Sequence, residues 1–208
     1  MLNYPIKFFQ NTHEENTLVL ASNNEHKILE IKDMLGHTYQ ILKQADFNIG
    51  PIPETGKSFK ENAIIKAREV HNITGLTTIG DDSGLVVEAL DGEPGIFSAR
   101  YSGENATDEE NNKKLLKKLE ETNVNNRNAR FECVIALIEH EDPKKVYTFS
   151  GTWKGEILLK KKGSRGFGYD PLFFDPKTGK SSAELQAKQK NKISHRAKAL
   201  AKLKQHIS

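Results

Sequence analysis

Five short segments of this chain hold residue types that could do chemistry. Ser22-Asn23-Asn24-Glu25-His26-Lys27 joins small polar donors, the free N–H groups of a helix start and a lysine, which is what a chain of phosphates requires. The same residues would serve if Ser22 or Asn24 only capped the helix and Lys27 faced water. Asp81-Asp82 places two carboxylates side by side next to an apolar run. Adjacent carboxylates repel, and both are expensive to keep near a core unless donors or a cation compensate them. A hard divalent ion such as Mg²⁺ suits such oxygens, and Glu54 in the loop Pro53-Glu54-Thr55-Gly56 supplies another. An aspartate turn with Asp82 capping through Ser83 explains the pair equally well. Phe167-Gly168-Tyr169-Asp170-Pro171 sets two aromatics and an acid around a glycine, either to stack on a base or to fill the core. Ser194-His195-Arg196 offers donors suited to a carbonyl or phosphate oxygen, or ordinary surface polarity.

The elements that position these residues follow from apolar spacing and caps. Thr17 to Ala21 reads as a strand, and Ile28, Ile31 and Leu35 then recur at helical spacing. A second helix starts at Ser58, with Glu61 completing a capping box and Phe59, Ala63, Ile64, Ala67 and Val70 on one face. Leu76 to Ile79 and Leu85 to Leu90 read as two strands flanking a tight Gly80–Gly84 connection. A third helix spans Asp108 to Leu119, capped by Thr107 and Glu110 and burying Leu115, Leu116 and Leu119. Strands follow at Ala129 to Glu139, Lys145 to Gly151 and Gly155 to Leu159, with Asp142-Pro143 turning an antiparallel hairpin. A glycine-rich loop from Lys160 to Gly168, continued through Gly179, leads to a helical end capped by Ser181 and Glu184, with a stripe of Ile193, Ala197 and Leu200. The order is mixed α/β in a single domain with no internal repeat.

The 208 residues, 36% hydrophobic and 28% charged, exclude a disordered or fibrous chain. The single Cys133 has no disulfide partner and sits in an apolar run, so a buried bystander thiol in a reducing compartment is expected. No apolar stretch reaches membrane-span length, and Met1 to Asn16 lacks the apolar centre of a signal peptide, so a cytoplasmic location is expected. Net charge is only +3, but Lys177, Lys180, Lys188, Lys190, Lys192, Arg196, Lys198, Lys202 and Lys204 face only Glu184 in their stretch. That end attracts anions, yet without interleaved aromatics it is a poor nucleic-acid surface.

Taken in order, Ser22-x-Asn24-x-x-Lys27, Glu54-Thr55-Gly56, Glu61-Asn62-Ala63 with Lys66, Asp81-Asp82-Ser83-Gly84, Pro94-Gly95, Ser98-Ala99-Arg100-Tyr101-Ser102-Gly103, Phe167-Gly168-Tyr169-Asp170-Pro171 and Ser194-His195-Arg196 closely resemble the inosine triphosphate pyrophosphatase family. The resemblance runs from about Leu18 to Leu203, which divides the chain into an N-terminal extension, 1–16, and a catalytic domain, 17–208. It implies an α/β fold with a long mixed central sheet, flanking helices and two lobes around a nucleotide cleft, and a homodimer. It implies Mg²⁺-dependent hydrolysis of inosine, deoxyinosine and xanthosine triphosphates between the α- and β-phosphates, giving the monophosphate and pyrophosphate and so cleansing the nucleotide pool. Carried over, Ser22, Asn23, Asn24, Glu25, His26 and Lys27 would hold the triphosphate, with Lys66 as a further contact. Glu54 and Asp82 would bind the metal, Asp82 would be the catalytic carboxylate, and Asp81 would stand behind it or act as a second ligand. Phe167 and Tyr169, with Gly168 between them, would flank the base. Lys190, His195 and Arg196 would present donors to its edge, with Ser83 and Asp170 completing the contacts. His26 departs from the family, which commonly has glycine there; its ring would add a phosphate donor or point to water. Two alternatives remain: a related pyrophosphatase for another modified or pyrimidine nucleotide, and a basic nucleic-acid-binding module.

Overall fold

The computed structural model describes residues 16–122 and 125–207; the expected N-terminal extension, Asn16 apart, lies outside them. Seven strands form one mixed sheet in the order β2-β1-β3-β4-β5-β6-β7. β1 (Thr17–Ala21) pairs in parallel with β2 (Gln40–Lys43) and with β3 (Thr78–Val87). β4 (Asn128–Ile138), β5 (Tyr147–Ile157), β6 (Phe173–Asp175) and β7 (Lys180–Ser181) extend the sheet antiparallel.

Chain direction decides which helix covers which face. From β1 the chain crosses to β2 through α1 (Glu25–Leu35), then returns to the other side of β1 through α2 (Phe59–Thr74). Right-handed crossovers in opposite senses place the two helices on opposite faces. Accordingly Ile28, Ile31 and Leu35 of α1 pack with Leu18 and Leu20 of β1. Val70 of α2 packs with Val19 and Ala21, the alternate residues of the same strand. α5 (His195–His206) shares the α1 face through Leu200 and Leu203, and α3 (Asp108–Glu121) adds Leu115 and Leu119 to a second cluster with Leu85, Phe131, Trp153 and Tyr169. Among the described residues no helix is long and apolar enough to cross a membrane.

Several expectations are corrected. β3 is one continuous strand, where the glycines had predicted two strands and a tight connection, and Glu88–Leu90 is a 3-10 turn. Gly80 has no positive φ; it is small because α2 crosses it, and a Cβ would lie 2.3 Å from the Ala63 carbonyl oxygen. β5 likewise runs unbroken through Gly151, where a Cβ would lie 2.0 Å from the His195 carbonyl oxygen at the start of α5. Ser58 caps α2, but the Glu61 carboxylate accepts from the Lys57 N–H, so the box is half formed. Within the segment expected to be loop, β6 and β7 form a small hairpin. The expected helical end is built of three pieces. Ser181 and Glu184 cap only the 3-10 turn Ser182–Glu184, and α4 (Ala187–Ile193) is separated from α5 by Ser194, whose hydroxyl accepts from the Ala197 N–H. Ile193 and Leu200 therefore pack into different clusters rather than one stripe.

A methyl group at Gly151 would meet the His195 carbonyl oxygen, the Ala199 nitrogen and the Lys198 Cβ, none of them the far end of a flexible side chain. Gly151→Ala is expected to lower the unfolding free energy by about 1–3 kcal/mol in urea melts; an unchanged midpoint would contradict this close approach of α5 to the sheet.

Candidate functional site

β1 ends at Ala21, opposite Gly80, while β3 continues to Val87. Beyond that point the edge of β3 at Asp82-Ser83-Gly84 has no strand beside it among the described residues and faces the turn Ser22-Asn23-Asn24. Because the connections through α1 and α2 run over opposite faces of the sheet, to strands on either side of β1, this is the switch point at the carboxyl end of a parallel strand, where open α/β sheets hold ligands. A cleft of about 400 Å³ opens there.

Its floor is set by strand alternation. Asp81 and Asp82 project to opposite faces of the sheet, so the expected mutual repulsion of a shared carboxylate pair does not arise. Asp81 faces α1 and α5, accepting from Arg196 Nε at 2.8 Å and pairing with Lys27 Nζ at 2.7 Å. Burial pushes its pKa up, but Arg196 and then Lys27 outweigh that and hold it well below the usual aspartate range. Asp82 faces α2, accepting from Lys66 Nζ at 2.8 Å. Lys66 also donates to Glu54 at 2.7 Å, and Arg100 holds the other Glu54 oxygen at 2.9 Å. Burial raises Asp82 more than Lys66 and Lys27 lower it, whereas Glu54, despite burial, is drawn down to about 2, chiefly by Lys66. Asp82 Oδ2 is buried and has no hydrogen-bond partner.

A metal would find Glu54 and Asp82 together at this point. Among the described residues no group of three or more His, Cys, Asp or Glu side chains forms a metal cluster. The pair nevertheless fits Mg²⁺, which commonly takes one or two carboxylates and completes its shell from phosphate and water. The Lys66 ammonium held between the carboxylates, and the orphaned Asp82 oxygen, mark a place that accepts positive charge.

At one end of the cleft, Asn24 caps α1, its Oδ1 accepting from the Lys27 N–H at 3.1 Å, and Ser22 Oγ accepts from the Asn24 N–H at 3.2 Å. Capping and cleft lining coincide, since Ser22, Asn23, Asn24 and Lys27 all border the cavity. Glu25 and His26 do not. Glu25 pairs with Lys43 of β2, and the exposed His26 ring stacks on Phe167, with centroids 4.9 Å apart and planes at 8°. His26 thus points neither to a phosphate site nor simply to water.

At the other end Arg196, 1% exposed, donates to Ser83 Oγ at 2.8 Å as well as to Asp81, and pairs with Glu30. Lys190 bridges Glu30 at 2.8 Å and Asp170 at 2.6 Å. Lys27, Asp81, Arg196, Glu30, Lys190 and Asp170 therefore form a chain of alternating charge along the cleft. His195 lies flat on Phe131, at 4.8 Å and 16°, with Nδ1 unpartnered. Its pKa falls well below the ordinary value through burial, then through Arg196 and Lys190, so the ring is neutral. Tyr169 is largely core, 4% exposed, with its hydroxyl donating to the Ser98 carbonyl at 2.9 Å, yet it also walls the cleft beside Phe167. Gly168 is held by Asp108 and Asn112 of α3. Cys133 is buried as expected, its thiol donating to Asp81.

Glu30, Arg100, Asp108 and Asn112 were not singled out as site residues from the sequence. Glu30 had a signal: it lies three residues after Lys27, next to Ile31, on the buried side of α1. For Arg100 the signal was its place in a recognisable motif, without a partner to give it a role.

The family model of the Ham1 family matches residues 18–206. A protein of Geobacter sulfurreducens named dITP/XTP pyrophosphatase is 52% identical over 192 residues, covering 91% of this chain and 96% of that protein. A Vibrio parahaemolyticus protein of the same name is 47% identical over 192 residues, covering 92% and 96%. Among solved structures, a HAM1 protein from Coxiella burnetii superposes with a TM-score of 0.85 at 44% identity, covering 92% of this chain and 98% of that one. The Staphylococcus aureus Ham1 protein gives 0.82 at 43%, covering 92% and 97%.

The buried charges set the acid stability. Asp81 and Glu30 have depressed folded-state pKa values, so their stabilisation is present above their unfolded values, near 4, and is lost as pH falls through the folded ones. His195 resists protonation in the fold, so the unfolded chain gains a proton and stability begins to fall below about pH 6.5. In urea melts from pH 7 to 5, His195→Asn is expected to flatten that decline, and an unaltered slope would contradict the assignment. Arg196→Ala, which leaves buried Asp81 with Lys27 alone and Glu30 with Lys190 alone, is expected to cost about 3 kcal/mol at pH 7.

Proposed function

The chain belongs to the Ham1 family, and from that membership we propose that it is a nucleoside triphosphate pyrophosphatase hydrolysing inosine, deoxyinosine and xanthosine triphosphates to the monophosphate and pyrophosphate, as a cytoplasmic homodimer that clears the nucleotide pool. The observation that carries the reading is the meeting of Glu54, Lys66 and Asp82 with Ser22-Asn23-Asn24 and Lys27 in one cleft that also holds Phe167, Lys190 and Arg196. Phosphate ligands, a place for a cation and a base platform then lie in one cavity. Glu54 and Asp82 would hold Mg²⁺, which supplies positive charge for the triphosphate oxygens and acidifies a neighbouring water.

The chain's own residues account for the other steps. Asp82, with an unpartnered oxygen and a pKa raised chiefly by burial, is a stronger base than an ordinary aspartate. It takes the proton of the attacking water as the new P–O bond forms and the bond to pyrophosphate breaks. Lys27 neutralises charge that gathers on the departing pyrophosphate. Asp81 holds Lys27 and Arg196 in place and needs no contact with metal in this scheme.

At the base, Lys190 and Arg196 are donors only, suited to the 6-oxo oxygen of hypoxanthine or xanthine. Adenine presents its amino group there and leaves those donors unpaired, a mismatch that discriminates strongly. Burial of these two cations in ion pairs also weakens the nucleic-acid alternative, since neither is free for a surface patch. Lys198 and Lys202 are drawn to the backbone carbonyls of Thr152 and Ser150 as well.

Pyrophosphate release from inosine, xanthosine, adenosine and guanosine triphosphates tests the reading. Turnover of the first two that stops when EDTA removes Mg²⁺ is expected, and Asp82→Asn should slow it by about 10²–10⁴-fold. Equal turnover of all four would contradict the specificity, and wild-type rates in Asp82→Asn would contradict the role of that carboxylate.

A further inference from the structure

Lys66 projects from α2, and its ammonium lies between two carboxylates that reach it from different parts of the chain: Glu54 from a loop, at 2.7 Å, and Asp82 from β3, at 2.8 Å. The side chain is nearly inaccessible, with 7% of the residue exposed. Burial favours a neutral amine there, but Asp82 and Glu54 outweigh it and keep the group charged. Removing that charge would leave two carboxylates facing each other in a poorly solvated place, with Arg100 serving only one of them.

The same two carboxylates are the ones assigned above to Mg²⁺. A divalent cation held by the same two carboxylates would lie close to that ammonium, and in a partly buried site their repulsion is strong, so the two cations compete for the place. One must leave, and a lysine is suited to leave, since its charge is a point on a flexible four-carbon stem. Lys66 borders the cleft that would receive the triphosphate, so its ammonium has another anion to move to only when a nucleotide is present.

We propose that Lys66 is an internal counter-ion, which holds Glu54 and Asp82 together in the metal-free protein and must be displaced from between them when the divalent ion binds. The inference rests on the metal reading given above and deepens it. Metal binding is weak while the lysine has nowhere to go and tight once phosphate oxygens draw it away, so metal and nucleotide bind cooperatively. Lys66 thereby guards the carboxylates against metal that arrives without substrate.

Mn²⁺ binding followed by electron paramagnetic resonance, on the full chain without nucleotide, tests this independently of turnover. Lys66→Met is expected to bind Mn²⁺ about tenfold or more tightly than wild type, since the competing charge is gone. Its metal-free form is expected to melt at a lower temperature, and added Mg²⁺ to raise that temperature more than it does for wild type. Unchanged or weaker Mn²⁺ binding would overturn the proposal. Should Lys66→Met not fold, Lys66→Arg decides: its fork grips both carboxylates more firmly, so Mn²⁺ should bind more weakly than to wild type, and equal or tighter binding would overturn the proposal. A wild-type protein that binds no Mn²⁺ with or without nucleotide, yet releases pyrophosphate, would remove the metal reading and this inference with it while leaving the activity standing.

Discussion

A strand that outruns its neighbour governs this molecule. Where β1 stops and β3 continues, backbone alternation sends Asp81 to one face of the sheet and Asp82 to the other. Neither can remain there ionised without a cation, and the helices deliver one to each: Arg196 from α5 with Lys27 from α1 to Asp81, and Lys66 from α2 to Asp82. Two chemically identical neighbours acquire opposite characters. Asp81 is saturated and strongly acidic; Asp82 keeps a free oxygen and a raised pKa. The division between a fully paired carboxylate and one with an oxygen to spare is thus set by which way a pleat points.

From Asp81 the constraint spreads. Arg196 is shared with Glu30, Glu30 with Lys190, and Lys190 with Asp170, so the residues at the two ends of the cleft belong to one buried ionic chain. Such chains add little net stability over an apolar core, but removing any member leaves its neighbours with less compensation than their burial requires. What the arrangement provides is position: donors that would sweep a wide volume as free lysine and arginine side chains are fixed where a base edge would meet them. Close packing maintains it, because α5 can bring Arg196 to the sheet only by crossing β5 at Gly151.

Much of this was legible in the sequence. β1, α1, α2 and α3 declared themselves through apolar spacing and caps, and Thr107 with Glu110 forms the reciprocal box their types imply. Most of the expected site residues border one cleft. The misreadings share a cause. Gly80 and Gly151 suggested breaks because glycine usually marks a change of backbone direction, whereas here each makes room for a helix that packs across the strand. Adjacent aspartates suggested repulsion because a sequence does not reveal which face a residue takes until the strand is known. Glu30 escaped notice because its partners, Lys190 and Arg196, lie far along the chain and meet it only in three dimensions.

The central claim is that neighbouring carboxylates have been driven apart in acidity by facing opposite ways. Carbon-detected NMR titration of the aspartate carboxyl groups in the metal-free protein measures it directly. The account predicts that Asp81 titrates below, and Asp82 above, the ordinary aspartate value of about 3.9. Two carboxyl groups titrating together near that value, or in the reverse order, would contradict it.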